Sequence, residues 1–359
     1  MRRFWLRKIV ILFPKDSEAL FDPTSSRTFG GASVQLYNIS RSLGEFSDIK
    51  VIQGLYEYPS VRRQSFEGTP LIDFFCNEHD FILVKFIKSI RFFERYRPDY
   101  VMQRGLTLFS CMLAFFCRMT GIRFIFMFAH DLEVQGRYQK NGKICPLYFL
   151  LKLSSWRLIA QHRWQYNHLP ENKRELIYSG YSMPEKNKAS MKSPVLWVGR
   201  LEPWKNPELF IDLAREYPER SFVMIAPSFH RHEEYGRKIH ETAKMLPNLT
   251  LYDFIPYKNI DSYFKNASFY VSTSEKEGFP NTFVQAAMFG IPVISLHVNP
   301  DEVLTEYEFG VFCDNSFEKL VLSLKIDDAL YSKLSENAFR YACERHDIIE
   351  VSSKIHALL

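Results

Sequence analysis

Short apolar runs alternate with amphipathic stretches along the chain, and this alternation predicts the fold. Lys8 to Phe13 is an apolar run too short for a helix. A long loop containing Phe29-Gly30-Gly31-Ala32 follows, and then a segment that puts Leu36, Ile39 and Leu43 on one helical face. The pattern continues with a strand near Ile49 to Gln53, a helix across Ile82 to Tyr96, a strand at Asp99 to Gln103, a helix from Leu108 and a strand at Arg123 to Phe128. Strands this apolar are buried on both faces, which a parallel sheet between helical layers requires. Residues 184–194, rich in Lys, Ser and Pro, interrupt the regularity.

The alternation then restarts with Val195 to Val198, a helix from Pro207 to Tyr217, Phe222 to Ala226, a helix through Glu234 to Met245, Leu249 to Phe254, Phe269 to Ser272, a helix from Asn281, and Pro292 to Ser295. The expectation is an α/β protein of two Rossmann-like, doubly wound domains facing a cleft. The domains are residues 1–183 and 195–345, joined by a linker at 184–194, with 346–359 a C-terminal helix placed to pack back on the first domain. Ligands of such sheets lie beyond the carboxyl ends of the strands.

Length and composition agree with this picture and exclude others. A chain of 359 residues exceeds the size at which one core stops growing, and 46% hydrophobic with 24% charged residues is an ordinary globular balance. The six cysteines show no CxxC pair or metal-ligand spacing, which excludes a zinc site and a disulfide framework. The apolar run after Arg7 and Lys8 stops at Pro14-Lys15-Asp16, too short for a signal peptide. Arg118 and Arg123 break Cys111 to Phe128 short of the ~18 apolar residues of a membrane span. A soluble, cytoplasmic chain is expected.

Charge is uneven: residues 1–185 hold 26 Lys/Arg against 17 Asp/Glu, and residues 186–359 hold 20 against 24. In the basic half, Lys85, Lys88, Arg91 and Arg95 interleave with Phe86, Ile90 and Phe93 at helical spacing. Such a helix lies on an anionic membrane surface, or packs its apolar face and leaves its basic face wet. No nucleic-acid-binding module accompanies the charge, so nucleic acid is not an expected partner.

Two segments carry the chemistry. In the first, the strand Val195 to Val198 ends at Gly199, and Arg200 and Lys205 follow before an Asn206-capped helix started by Pro207, an arrangement suited to an anion. In the second, the strand ending at Ser272 leads through Glu277-Gly278-Phe279-Pro280 into a helix at Asn281-Thr282, whose unpaired backbone N–H groups favour a phosphate. Glu277 either accepts hydrogen bonds from sugar hydroxyls or complements the helix dipole. In the first half, Gly30-Gly31 is either a close-approach loop or a flexible turn, and His130-Asp131 follows a strand.

Together, Gly199-Arg200, Lys205, Glu277-Gly278-Phe279 and Phe289-Gly290-Ile291-Pro292-Val293 resemble the donor half of the GT-B retaining glycosyltransferases (group 1, family 4-like). The resemblance implies that Arg200 and Lys205 hold a donor diphosphate, Glu277 the transferred sugar, and Gly30-Gly31 the donor phosphate by backbone, with His130 near the reaction centre. Gly199, Gly278, Phe279, Pro280, Asn281, Thr282 and Ile255 complete the donor side. Where the family usually has a second glutamate for the ribose, this chain has Gln285, a weaker neutral acceptor.

The implied partners are a UDP-, GDP- or ADP-sugar and a hydroxyl acceptor, glycan or lipid-linked. Acceptor choice falls to the loops at Gln103-Arg104-Gly105 and Gln135-Gly136-Arg137-Tyr138, and base contacts to Pro227-Ser228-Phe229 and Phe254-Ile255-Pro256. No Asp-x-Asp motif is present, so neither a metal nor a further cofactor is expected. The alternatives are a nucleotide-sugar epimerase of the same fold and a non-catalytic donor-binding protein.

Overall fold

The computed structural model describes residues 6–22, 24, 25, 27–58, 61, 62, 70–138, 141–186, 190–227 and 232–359. Of the residues singled out above, Ser228, Phe229 and 187–189 in the linker lie outside them. The chain forms two compact units, one of residues 1–182 with 348–359 and one of 183–347.

The first unit runs β1 (Arg7–Leu12), α1 (Glu18–Phe21), α2 (Gly31–Leu43), β2 (Ile49–Tyr56), β3 (Leu71–Cys76), α3 (Ile82–Tyr96), β4 (Tyr100–Arg104), α4 (Leu108–Thr120), β5 (Arg123–Met127), α5 (Asp131–Val134), α6 (Tyr148–Ser154), β6 (Arg157–Ala160), α7 (Arg163–Asn167) and β7 (Arg174–Leu176). Its seven strands are parallel in the order β3-β2-β1-β4-β5-β6-β7. The strand order reverses at β1/β4, the mark of a doubly wound sheet. Because β-α-β crossovers are right-handed, the connections β3 to β4, β4 to β5 and β5 to β6, all running the same way, place α3, α4 and α6 on one face, and α2 takes the other.

The second unit runs β8 (Val195–Val198), α8 (Pro207–Glu216), β9 (Phe222–Ile225), α9 (Glu233–Lys244), β10 (Leu249–Tyr252), α10 (Tyr257–Lys265), β11 (Phe269–Ser272), α11 (Asn281–Ala287), β12 (Val293–Ser295), α12 (Val303–Glu306), β13 (Gly310–Phe312), α13 (Phe317–Leu322) and α14 (Asp328–His346). Six parallel strands are ordered β10-β9-β8-β11-β12-β13. The last helix, α15 (Ile348–His356), packs on α2 of the first unit, where the His356 ring stacks on Phe46 at 4.4 Å and its Nε2 lies 2.9 Å from Asp48 Oδ1.

The two doubly wound sheets match the expected α/β class. Strands β3, β6, β7 and β13 were not anticipated, because they are short or polar: β7 is Arg-Glu-Leu, and β3 carries Asp73, buried and hydrogen-bonded by the Tyr96 hydroxyl (2.6 Å) and Arg95 (2.9 Å). Lys85 corrects the reading of α3, since it is buried with its ammonium 5.1 Å from the Tyr56 ring centre and is not part of a wet basic face. Phe93 is buried in the core, and Phe86 packs against it.

Candidate functional site

In the second unit, β8 and β11 are neighbours, with Val195 opposite Phe269 and Leu196 opposite Tyr270. The loops leaving their carboxyl ends, 199–206 and 273–280, therefore emerge side by side. A network ties them together. The Trp197 indole N–H donates to Thr273 Oγ1 (3.0 Å), the Thr273 hydroxyl donates to the Lys205 carbonyl (2.6 Å), and the Glu275 N–H donates to the Trp204 carbonyl (2.9 Å).

Asn206 takes a left-handed conformation at φ 46° and makes no side-chain cap to α8, contrary to the capping expected from sequence. Its amide instead reaches Thr273 O and Glu275 Oε1, each at 3.4 Å. Held this way, Lys205 forms an ion pair with Glu277, each side chain 17% exposed, and its ammonium lies 4.3 Å from the Trp204 ring centre. An ammonium has three donors, so one carboxylate oxygen leaves capacity for an anion. Arg200 sits on the same loop and pairs with Glu202 (3.2 Å), which also accepts from the Trp204 indole (2.6 Å). Gly199 is required by crowding: a Cβ there would stand 2.9 Å from the Trp197 ring.

Helix α11 starts at Asn281 after Pro280, which makes no side-chain cap. Gly278 and Pro280 are buried at the loop end. The Thr282 side chain is hydrogen-bonded with the Tyr270 phenol, whose titration burial pushes up. The Phe279 side chain is buried with its ring 5.4 Å from His346, so its side chain serves the core and only its backbone is left for a ligand. Gln285 is buried on the same helix, and Ile255 is half-buried between β10 and α10.

In the first unit, a second polar cluster gathers at the ends of β4, β5 and β6. His130 is the N-cap of α5, and its Nδ1 accepts from the Leu132 N–H (3.1 Å), which puts the neutral ring's proton on Nε2. Three residues on, Glu133 reaches back to accept from the Ala129 N–H (2.8 Å), one residue before the N-cap. Glu133 is wholly buried. Burial pushes its carboxyl up to about 7, against hydrogen bonds from the backbone of Ala129, Leu106 and His130 and the charge on Arg104.

Arg104 is buried as well, which lowers its guanidinium to about 10; its Nη2 donates to Gln161 Oε1, while Nε and Nη1 have no hydrogen-bond partner. Asp131 accepts from Gln165 (2.9 Å) and sits 2.7 Å from His162 Nε2. Burial raises the Asp131 carboxyl, but the His162 and Gln165 hydrogen bonds and the charges on His162 and His130 outweigh it and hold it low.

Other expected positions have local duties. The Arg137 guanidinium closes its own turn on the Gly142 carbonyl (2.9 Å). Gly30 is the N-cap of α2 and Gly31 its first residue. Ser33 donates to Asp16 Oδ1 at 2.6 Å, and a Cβ on Gly30 would lie 2.8 Å from Asp16 Oδ2. A resident carboxylate thus already stands over that helix start. Glu133, Gln161, His162, Trp197 and Thr273 escaped the sequence reading. Of these only Glu133 had a local signal, the spacing His130-x-x-Glu133. Among the described residues no three His, Cys, Asp or Glu side chains gather as a metal site.

Residues 182–345 match the family model of glycosyl transferases group 1. An uncharacterized glycosyltransferase of Haemophilus influenzae is 24% identical over 187 residues, 49% of this chain and 52% of that protein. The chain spans about half the length, or less, of the curated relatives it matches.

Among solved structures, the sucrose-phosphate synthase of Thermosynechococcus elongatus has a TM-score of 0.75 at 13% identity, and Anabaena HepE in complex with UDP and glucose a TM-score of 0.73 at 16%; each comparison covers 98% of both chains. The two doubly wound units are those of the GT-B fold.

Proposed function

We propose that this chain is a retaining, metal-independent glycosyltransferase that moves a sugar from a UDP-, GDP- or ADP-sugar to a hydroxyl of a glycan or lipid-linked acceptor. The observation that carries this reading is the Lys205–Glu277 pair, pinned by the Trp197-Thr273-Asn206 network beside the start of α11. In the proposed reaction the bond between the sugar's anomeric carbon and the diphosphate breaks with its electron pair going to phosphate. Lys205, Arg200 and the backbone N–H groups at Asn281 stabilise that developing charge. Glu277 accepts from sugar hydroxyls while still paired to Lys205.

The acceptor oxygen attacks on the face the diphosphate leaves, and its proton passes to the leaving phosphate, so no side chain has to be the base. His130 donates through Nε2 to orient the sugar. The unpaired Nε and Nη1 of Arg104 favour it over Arg137, whose guanidinium is held by the Gly142 carbonyl, as the acceptor-side cation. The UDP and glucose in HepE, and the UDP-2-fluoro glucose in the Escherichia coli trehalose-6-phosphate protein, support a nucleotide-sugar donor.

The decisive assay incubates the protein with UDP-, GDP- and ADP-sugars, a panel of hydroxyl acceptors, and EDTA. Transfer with retained anomeric configuration is expected. An inverted product, dependence on added metal, or a sugar epimerised without acceptor would each overturn part of the reading. The matching nucleoside diphosphate is expected to raise the unfolding midpoint, adding ~2.7 kcal/mol at a hundred times its dissociation constant.

Gln285→Glu tests the ribose contact. A charged acceptor is expected to tighten donor binding about five-fold, roughly 1 kcal/mol, by isothermal titration. Unchanged or weaker binding places Gln285 away from the ribose.

A further inference from the structure

Fourteen large hydrophobic side chains are exposed among the described residues, and nine of them fall between Phe81 and Leu153 in the first unit. They lie on or beside α3, α4 and α6, the helices sharing one face of the sheet. These three helices are in contact: Phe86 of α3 meets Phe116 of α4 edge-on at 5.8 Å, and Cys111 of α4 lies 3.6 Å from Cys145 just before α6. On their outer side α4 exposes Phe115 and Met119, one turn apart, with Arg118 between them. Helix α6 repeats the arrangement with Phe149, Leu153 and Lys152, and α3 presents Leu83, Ile87 and then Arg91 in one row.

Counted over the three helices there are six cations and one carboxylate, Glu94. Lys85 is buried, and Lys88 and Arg95 are committed to Asp80 (2.7 Å) and Asp73 (2.9 Å). Arg91 and Arg118 have no carboxylate partner among the described residues, so the cations left over are those set among the exposed apolar side chains.

We propose that the α3/α4/α6 face docks on an anionic lipid bilayer, its aliphatic and aromatic side chains entering the headgroup boundary and Arg91, Arg118 and Lys152 meeting lipid phosphates. Charge complementarity selects this occupant. Two copies of the face meeting about a two-fold axis would set two surfaces with an excess of cations against each other, whereas a bilayer answers both the apolar and the basic components at once. The surface differs from the basic stripe legible in the sequence. Phe86 and Phe93 turn inward, and the side chains that meet the lipid are Leu83, Ile87 and their counterparts on α4 and α6. The inference goes beyond sugar transfer and is read without it.

Flotation of the full chain with phosphatidylcholine vesicles, with and without phosphatidylglycerol, tests it. Binding is expected only with phosphatidylglycerol, weakened about ten-fold or more as salt rises from low to high ionic strength. The double variants Phe149→Ser/Leu153→Ser and Arg91→Glu/Arg118→Glu should each lose most of this binding while keeping the wild-type unfolding midpoint. Met245→Ser/Leu330→Ser, two exposed apolar side chains of the second unit, should bind as wild type. No flotation with anionic vesicles, flotation unaffected by the face variants, or a dimer in sedimentation velocity that those variants dissolve would each overturn the proposal.

Discussion

Lys205→Ala is expected to lower turnover by about a hundred- to a thousand-fold, the cost of removing one preorganised group aimed at charge that develops in a transition state. Steady-state kinetics with the donor found active should place the loss in kcat more than in KM, because charge builds on the diphosphate chiefly as the anomeric bond breaks. Since Lys205 also neutralises Glu277, part of the effect is a half-buried carboxylate left without its partner. The Lys205→Ala/Glu277→Ala double variant separates the two contributions. If the pair is only structural, removing both partners restores what either single variant loses; if each touches the donor, the double variant is at least as impaired as the worse single one. Wild-type kcat in Lys205→Ala would remove the diphosphate role.

The second large effect concerns stability. Glu133→Ala deletes a buried acceptor that serves backbone N–H groups of Ala129, Leu106 and His130. Buried donors left unmade cost about 1–3 kcal/mol each, so a loss of roughly 3 kcal/mol or more in urea unfolding is expected, with the His130 loop loosened. A destabilisation under about 1 kcal/mol would mean the loop is held by other contacts.

The same carboxyl predicts a pH dependence. Its ordinary value is 4.5 and burial raises it to about 7 in the folded protein, so the folded state holds this proton more tightly than the unfolded chain. The associated stabilisation is complete below 4.5 and is lost as pH rises through 7. Glu133→Gln has no such proton. Its stability relative to wild type should therefore improve by about 3 kcal/mol on going from acid to pH 8, measured as the difference between paired unfolding curves. A difference independent of pH would show that Glu133 titrates alike in the folded and unfolded chains.

The chain by itself determined which segments are strands and helices wherever burial on both faces writes an apolar run, as at Val195–Val198 and Phe269–Ser272. It also supplied the residue types of the proposed diphosphate-sugar site, since Gly199, Arg200, Lys205 and Glu277 are each local to a strand end. Strands such as Arg174–Leu176 and Gly310–Phe312 were not legible, because three residues half-buried at a sheet edge carry too little apolar signal.

Partners were decided only by the tertiary structure. Lys205 meets Glu277 across 72 positions because β8 lies beside β11 in the strand order, which no local pattern encodes. The same holds for Asp16 over the start of α2, for the Arg104 guanidinium left with two unpaired nitrogens, and for the buried Lys85 in a helix that reads as basic outside. Periodicity reports how each segment divides apolar from polar, a short-range property. The charge that faces another charge depends on sheet order and crossover handedness, which arise only when the segments pack.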